Sequence, residues 1–457
     1  MDSLAKIRDF YINKNNYYYT QLVKHINLLL NKKGSVLELG CGTGYVLNKL
    51  HGIAKTGIDI SQEMIEISKE KYSGIEFVCT EKPETLGKKF EYIIVSDTLG
   101  YLSDIQEFLG TIKPLFERES RLIITIHNHI WNPILRLAES FKLKMPYVHE
   151  NWLQQSEVIN LLNLEEYQVI SHSRKVLLPI YIPFVSNFIN RYIAPLPIIN
   201  WFCLIEIIVA RLVPLQKDYS VSVIVPARNE EGNISKIING VPNMGNGTEL
   251  IFIEGNSSDK TYEAIQSESE KYLGEIDIKY FKQNGTGKKD AVYKGFEKAT
   301  GEILMILDAD ATVKPAELKK FYAAISKGKG EFIYGSRLVY PMEKEAMQTL
   351  NQIANEAFAS IFSWIFNQRI TDTLCGTKVL FKSDWESLKS DIMSFGKNDP
   401  FGDFDLLFGA YKGNLKFLEI PIKYRARDYG NTNISRFKNG GDLLKMTFKA
   451  AGRIKFV

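Results

Sequence analysis

Five consecutive apolar residues, Ile303 to Leu307, stand between Gly301 and the acidic turn Asp308-Ala309-Asp310. A short apolar run bounded by turn residues predicts a strand buried on both faces. Thr312 suits a helix N-cap and Pro315 a first helical turn, so a helix is expected to open there. The same pattern of buried strand and amphipathic segment recurs along the chain. In the first half, strands are expected at 35–39, 55–59, 75–79, 90–97 and 121–127. Helices are expected at 17–31, from Tyr45 onward, and at 62–71. This alternation implies an α/β fold with a mostly parallel sheet and helices on both faces. In the second half, strands are expected at 221–226 and 249–254, and helices at 289–299 and 345–367.

Length divides this pattern. With 457 residues the chain exceeds a single core and fits two or three domains. The stretch LVPLQKDY at 212–219 reads as a linker, giving one domain over 1–215 and another over 216–457. Composition, 45% apolar and 24% charged, is that of a soluble globular protein. A net charge of +4 is too small to argue for a nucleic-acid partner. The charge is unevenly spread: 416–457 holds ten Lys and Arg against three acids. The cysteines at 41, 79, 203 and 375 have no paired spacing, which argues against a disulfide framework or a zinc site and suits a reducing cytoplasm. The first residues lack the apolar run of a signal peptide, and no stretch has about twenty apolar residues in a row. A cytoplasmic protein is expected.

The first candidate chemistry lies at Gly34 to Leu50, GSVLELGCGTGYVLNKL. A strand ends in Glu38-Leu39, and Gly40, Gly42 and Gly44 then make a turn into a helix, where backbone can approach a ligand closely. A second strand ends in Asp59, about twenty residues after the first glycine, where a carboxylate suits ribose hydroxyls. A dinucleotide loop, G-x-G-x-x-G, would place a third glycine at 45, where Tyr45 stands. With Glu38 ahead of it, the run E-L-G-C-G-T-G resembles that of class I S-adenosylmethionine-dependent methyltransferases over residues 34–127. The resemblance implies that Glu38, Gly40, Gly42 and Gly44 surround the methionine end of the cofactor. Asp59 would hold its ribose, with Ile60 and Met64 near the adenosine and Glu81 near the adenine. Asp97 to Leu99 would border the methyl-transfer cleft. His127 and His129 follow a strand at the sheet edge, as proton acceptors or as plain loop residues. A domain that binds the cofactor without transferring methyl is a further reading.

Two more strands, at 168–171 and 202–209, should close this sheet. Between them Lys175 to Phe202 is rich in Pro, Ile, Leu and aromatics, and its four prolines argue against one continuous helix. Such an insertion could cover the second domain, form a dimer face or lie in a membrane surface.

The second half begins with the strand VSVIVP and the loop ARNEEGN. The strand ELIFIE follows, ending in a turn expected to expose Glu254, Ser257 and Asp259. Gly285 and Gly287 loosen a loop that presents Lys288, and Asp308 and Asp310 end the opening strand. Two carboxylates one residue apart there suit a hard cation such as Mg2+ or Mn2+, which keeps room for substrate phosphates. In order, P-x-R-N-E, an acid with S-x-D, G-K and D-x-D resemble the GT-A fold of family 2 glycosyltransferases over 221–435. By that resemblance Pro226, Ala227, Arg228, Glu230, Glu254 and Asp259 cradle the nucleoside of a nucleotide-sugar. Lys288 would contact the donor, and Asp308 and Asp310 would hold the metal on its diphosphate. Glu254 departs from the more usual Asp.

Beyond the metal pair, Arg337 is expected to be exposed and Asp372 to sit on a turn. Asp403 and Asp405 are candidate catalytic acids, since an acid near here deprotonates an acceptor hydroxyl in the family. A phosphate acceptor would instead need positive charge, which Arg425, Arg427 and Arg436 supply. The tail and the block D-T-x-C-G-x-K are similar to polyprenyl-phosphate sugar transferases. The Q-x-x-R-W signature of processive synthases is absent. The expected whole is a Rossmann-like methyltransferase sheet followed by a GT-A sheet, with a lipid-phosphate or glycan acceptor and peripheral membrane contact from the insertion and basic tail. A non-catalytic scaffold and a nucleotidyltransferase are the rivals.

Overall fold

In a computed structural model, residues 2–31, 33–146, 151–341, 349–395, 399, 402–425, 427, 429 and 436–457 are described. The chain divides into two compact units, Met1–Val213 with Lys455–Val457, and Pro214–Ile454.

The first unit is built on β1 (Ser35–Leu39), β2 (Ala54–Asp59), β3 (Glu76–Cys79), β4 (Tyr92–Ser96), β5 (Arg121–His127), β6 (Tyr167–Lys175) and β7 (Ile205–Leu212). They form one sheet in the order β3-β2-β1-β4-β5-β7-β6. The first five strands in that order run parallel, and β7 is antiparallel to both β5 and β6. The direction of strand order reverses between β1 and β4, so a crevice opens at their carboxyl ends. Two buried apolar clusters cover the sheet, one around Leu37, Ile93 and Leu122, the other around Val36, Ile94 and Ile123. Adjacent residues of one strand thus serve opposite faces, which is the two-residue alternation of a strand.

The helices of this unit are α1 (Asp2–Lys14), α2 (Asn16–Asn27), α3 (Tyr45–Lys49), α4 (Gln62–Lys71), α5 (Ile105–Thr111), α6 (Asn132–Ser140), α7 (Gln155–Leu164) and α8 (Val185–Phe188). The lead-in helix expected at 17–31 is α2, ending at Asn27, and a further helix that was not expected, α1, precedes it. The chain breaks at Asn15, whose side-chain amide bonds the Tyr11 carbonyl. The insertion between β6 and β7 contains only α8, a π-helical turn at Ile189–Ile193 and a 3-10 turn at Ile199–Phe202. Its prolines deny the backbone a longer helix.

The second unit has β8 (Val221–Ala227), β9 (Thr248–Glu254), β10 (Asp277–Lys282), β11 (Ile303–Ile306), β12 (Phe332–Ser336), β13 (Lys378–Phe381) and β14 (Phe417–Pro421). Their order is β10-β9-β8-β11-β13-β12-β14. Strands β10, β9, β8 and β11 are parallel, and β13 runs antiparallel to β11. Helices α9 (Ile234–Gly240), α10 (Thr261–Lys271), α11 (Lys288–Lys298), α12 (Leu318–Ser326), α13 (Thr349–Phe366), α14 (Lys382–Phe395), α15 (Asp403–Lys412) and α16 (Arg436–Ile454) accompany the sheet. Every residue of β11 is buried.

The helix expected from Thr312 does not start there. A 3-10 turn occupies Pro315–Glu317 and α12 follows. The Thr312 hydroxyl donates to Asp310 Oδ1 at 2.8 Å instead of capping a helix, because Ala311, at φ 52°, folds the chain back on itself.

Candidate active sites

In the first unit the glycine loop leaves β1 at the crevice. Gly40, Gly42 and Gly44 have φ of 77°, 53° and 75°, where a side chain is strained. Asp59 ends β2 and holds the loop: its Oδ2 accepts the Gly42 amide at 2.8 Å and its Oδ1 the Ser61 amide at 3.0 Å. Beside it Ile60 is 57% exposed, an open apolar face. Met64 is instead buried, against Leu4 and Ala5 of α1. Glu81 is exposed just past β3, next to Thr80, whose amide bonds the Asp59 carbonyl.

Glu38 is buried, and its Oε2 has no hydrogen-bond partner in the protein. Burial pushes its carboxyl up to about 8, against the pull of the Arg8 guanidinium. Arg8, on α1, lies against the loop: a Cβ at Gly42 would fall on its guanidinium. Its Nε is likewise buried without a partner. A buried carboxylate oxygen and a buried guanidinium nitrogen, both unsatisfied across a glycine turn, fit a ligand that carries an ammonium and a carboxylate. The amino-acid end of S-adenosylmethionine is such a ligand. No motif marks Arg8 in the sequence.

Asp97, at φ 50°, is fixed by Thr125, whose hydroxyl donates to Asp97 Oδ1 at 2.8 Å. Its Oδ2 accepts the Tyr18 hydroxyl at 2.6 Å. The same tyrosine oxygen lies 2.9 Å from His127 Nε2. Since Tyr18 has one proton and spends it on the carboxylate, His127 Nε2 donates to Tyr18. Burial holds the His127 pKa below its ordinary value, with Asp97 opposing. A cleft lined by Asp97, Gly100, His127, Asn151 and Trp152 opens beside this trio. Tyr18 is a second residue that sequence reasoning missed. His129 opens a 3-10 turn beyond β5.

In the second unit the parallel strands deliver their ends to one edge. Ala227 is in register with Glu254, and Ile306 with Ile224, so Asp308 follows level with Pro226. Asn229, at φ 57°, laces two loops together: its amide bonds Ser257 Oγ at 3.0 Å and its Oδ1 accepts the Ser258 amide at 2.8 Å. Arg228 is exposed beside them. Glu230 is buried, held by Asn233 at 2.7 Å, and burial pushes its carboxyl up to about 7. Asp259 accepts from Thr261 and from the Tyr429 hydroxyl at 3.5 Å. Glu254, expected to be exposed, is 3% exposed and accepts the Ser257 amide at 2.6 Å. It ends a strand flanked on both sides, so its side chain turns inward.

Lys288 begins α11 and its Nζ lies 2.5 Å from Asp308 Oδ1. Burial alone would raise the Asp308 carboxyl, but the Lys288 ammonium reverses the sign and holds it below the usual carboxylate range. Asp310 Oδ2 accepts from Arg427 at 2.7 Å. Gly376 comes so close that a Cβ there would meet both Asp308 and Lys288. Each of the two carboxylates is thus matched by one cation. Among the described residues no group of three or more His, Cys, Asp or Glu could hold a metal by itself. Two hard oxygen donors fit Mg2+ or Mn2+, which commonly completes its shell with water or substrate phosphate oxygens.

Arg337, expected to be exposed, is instead paired in bidentate fashion with Asp372, at 2.7 and 2.8 Å. Asn355 adds a bond to Asp372 at 2.9 Å. The pair crosses 35 residues of sequence, which no local pattern reports. Asp403 and Asp405 both lie buried at the start of α15, paired with Lys378 and Lys289. Asp403 stands close enough to act on Lys288, while Asp405 faces Lys289. Replacing Lys378 by Met is expected to destabilise the second unit by about 3–5 kcal/mol, since the buried Asp403 would lose its hydrogen-bonded cation. Urea unfolding should show the loss, and Asp403→Asn in the same chain should recover most of it. Arg425 is exposed, its amide bonding the Thr312 carbonyl at 3.1 Å. The side chain of Arg436 lies outside the described residues.

Family comparisons agree with the two sheets. The model named Methyltransferase domain matches residues 11–172, and that named Glycosyl transferase family 2 matches 222–388. The dolichol-phosphate mannosyltransferase of Pyrococcus furiosus is 26% identical over 217 residues, 47% of this chain and 59% of its own length. The UDP-N-acetylglucosamine–dolichyl-phosphate N-acetylglucosaminyltransferase of Methanococcus voltae is 26% identical over 46% of this chain and 88% of its own length. YqeM of Bacillus subtilis, which carries a methyltransferase name, is 29% identical over 32% of this chain and 58% of its own length. The chain therefore joins a methyltransferase domain to a family 2 glycosyltransferase domain.

Proposed function

We propose that the second unit transfers a sugar, with inversion, from a nucleotide-sugar to a lipid phosphate at a membrane surface. The observation that carries this reading is the Asp308 and Asp310 pair, matched by Lys288 and Arg427, at the strand edge shared with Glu230, Glu254 and Asp259. Pro226, Ala227 and Arg228, with those three acids, are the nucleoside side. A divalent cation on Asp308 and Asp310 would offset charge on the departing nucleoside diphosphate. Lys288, freed from Asp308, turns to the donor phosphates. Arg427, with Arg425, takes the acceptor phosphate. A phosphate acceptor is already anionic and needs no base, which suits the pairing of Asp403 and Asp405 with lysines. The lipid-phosphate names of the Pyrococcus and Methanococcus relatives support this choice of acceptor over a free glycan.

For the first unit we infer S-adenosylmethionine binding and methyl transfer. Glu38 and Arg8 hold the charged ends of the methionine moiety, Asp59 the ribose, and Ile60 the adenine face. When bound, the cofactor supplies an electrophilic methyl group. The Asp97 carboxylate, which lines the adjoining cleft, takes the proton of a hydroxyl-bearing acceptor, and Tyr18 and His127 hold that carboxylate in place. The glycan precursor built by the second unit is one such acceptor.

A panel of nucleotide-sugars incubated with Mn2+ or Mg2+ and polyprenyl phosphate tests the second unit. Release of nucleoside diphosphate from one donor, with sugar appearing on the lipid, is the expected result. Release of pyrophosphate would assign a nucleotidyltransferase instead.

A further inference from the structure

The insertion between β6 and β7 carries an apolar surface that the proposed chemistry does not use. Tyr181, Phe184, Phe188, Ile198, Trp201 and Phe202 are each 52% to 91% exposed. Isolated apolar residues on a surface need no explanation, but a group this dense does.

One device, used twice, holds two of them out. Phe184 has φ 64° and ψ −40°, and Ile198 has φ 70° and ψ −55°, conformations that bulky and β-branched residues avoid. In each case the residue after it bonds back to the proline before it: Val185 N to Pro183 O at 2.7 Å, and Ile199 N to Pro197 O at 2.8 Å. These are γ-turns of the rare, strained hand. Both turns therefore hold an apolar side chain out in water at a residue whose backbone conformation is itself costly.

Charge identifies the cover. Lys175 and Arg191 are the only charged residues from 175 to 202, with no carboxylate among them. Lys24 of α2 lies with them. Lys24 and Arg191 are exposed, and Arg191 is close enough to lower the Lys24 pKa beyond the effect of burial, while Lys175 sits half-buried behind them with its pKa pushed down to about 8 by burial. Next to the insertion, Trp131 donates through its indole to the Phe202 carbonyl at 2.8 Å. The α6 helix that follows buries none of its residues and exposes Ile134 and Leu137. Among the described residues no helix is long and apolar enough to cross a membrane. An aromatic and aliphatic surface edged by cations complements an anionic bilayer, whose acyl region takes the side chains and whose headgroups take the charges. Trp and Tyr suit the depth between the two.

We propose that this insertion is an interfacial docking element that seats the methyltransferase unit on an anionic lipid surface. It goes beyond the sugar-transfer reading and does not depend on it. The test is flotation of the full chain with vesicles of phosphatidylcholine and phosphatidylglycerol that contain no polyprenyl phosphate. Wild-type chain should float with them, and float less with pure phosphatidylcholine or in high salt. A Phe184→Asp, Trp201→Asp double variant should lose roughly tenfold or more of the bound fraction, with its thermal unfolding unchanged. A wild-type chain that stays soluble, or a double variant that floats as well as wild type, overturns the proposal. Flotation that requires added polyprenyl phosphate overturns it too, because the sugar acceptor would then supply the attraction. A wild-type dimer that the double variant dissolves, without flotation, assigns the surface to a second copy and likewise overturns it. Nucleoside diphosphate release on the same preparations reports separately on sugar transfer.

Discussion

Asparagine in place of Asp310 is expected to cut sugar transfer by roughly 10²-fold to 10³-fold or more, the scale seen when one preorganised electrostatic contact to a developing charge is removed. Asparagine keeps the shape of the side chain. Thr312 can still bond its oxygen, so the turn after β11 should survive. What goes is the negative charge, and with it half of the proposed cation site and the partner of Arg427. The measurement is nucleoside diphosphate release with lipid acceptor at saturating Mn2+, alongside calorimetric binding of S-adenosylhomocysteine. Binding in the first unit should stay at the wild-type value. Full sugar transfer by this variant would sink the metal assignment, and loss of both readouts would point to misfolding.

Arg8→Ala and Glu38→Gln should each weaken S-adenosylhomocysteine binding by about 10-fold to 100-fold, the value of one charge-assisted hydrogen bond. Methylthioadenosine, which lacks the amino-acid moiety, should bind both variants as it binds wild type. Equal losses for the two ligands would mean the loop has collapsed instead. The pH dependence has a defined sign. Burial holds the free Glu38 carboxyl at about 8, so it is mostly protonated at pH 7. An ammonium ligand needs it ionised. Binding should therefore release a proton near pH 7, visible as an enthalpy that changes with the buffer's heat of ionisation. Affinity should rise with pH and level off above about 8.

Sheet strands and loops were legible where their signals are local. The apolar run 303–307 and the acidic turn after it, the loop from Glu38 to Gly44, and the helix at 62–71 all carry their own punctuation in Gly, Pro, Ser or Asp. Arg8 and Tyr18 were not, because they reach the first site from helices that precede it and belong to no motif. Glu254 was misread because a carboxylate at a strand end looks exposed until its neighbours on both sides are known. Arg337 was misread for a similar reason: its partner Asp372 comes from a distant loop, and only tertiary structure brings the two together. Thr312 had the residue type of an N-cap, but the left-handed step at Ala311 turned it toward Asp310. In each case the residue type was read correctly and the partner was not, since partners are set by the fold.

The two ion pairs at the end of β11 have a consequence for how the second site fills. Asp308 and Asp310 rest against two monovalent cations, Lys288 and Arg427. On the proposed reading a single dication would take their place, so the site would work as an ion exchanger whose net charge hardly changes as it loads. Neither carboxylate is left bare at any stage, which avoids the large penalty of an unpaired buried charge. The two displaced side chains are the ones assigned to phosphate: the lysine to the donor, the arginine to the acceptor. Loading a metal and preparing the substrate pocket would then be one event, and an acceptor phosphate that arrived early would find its arginine still engaged.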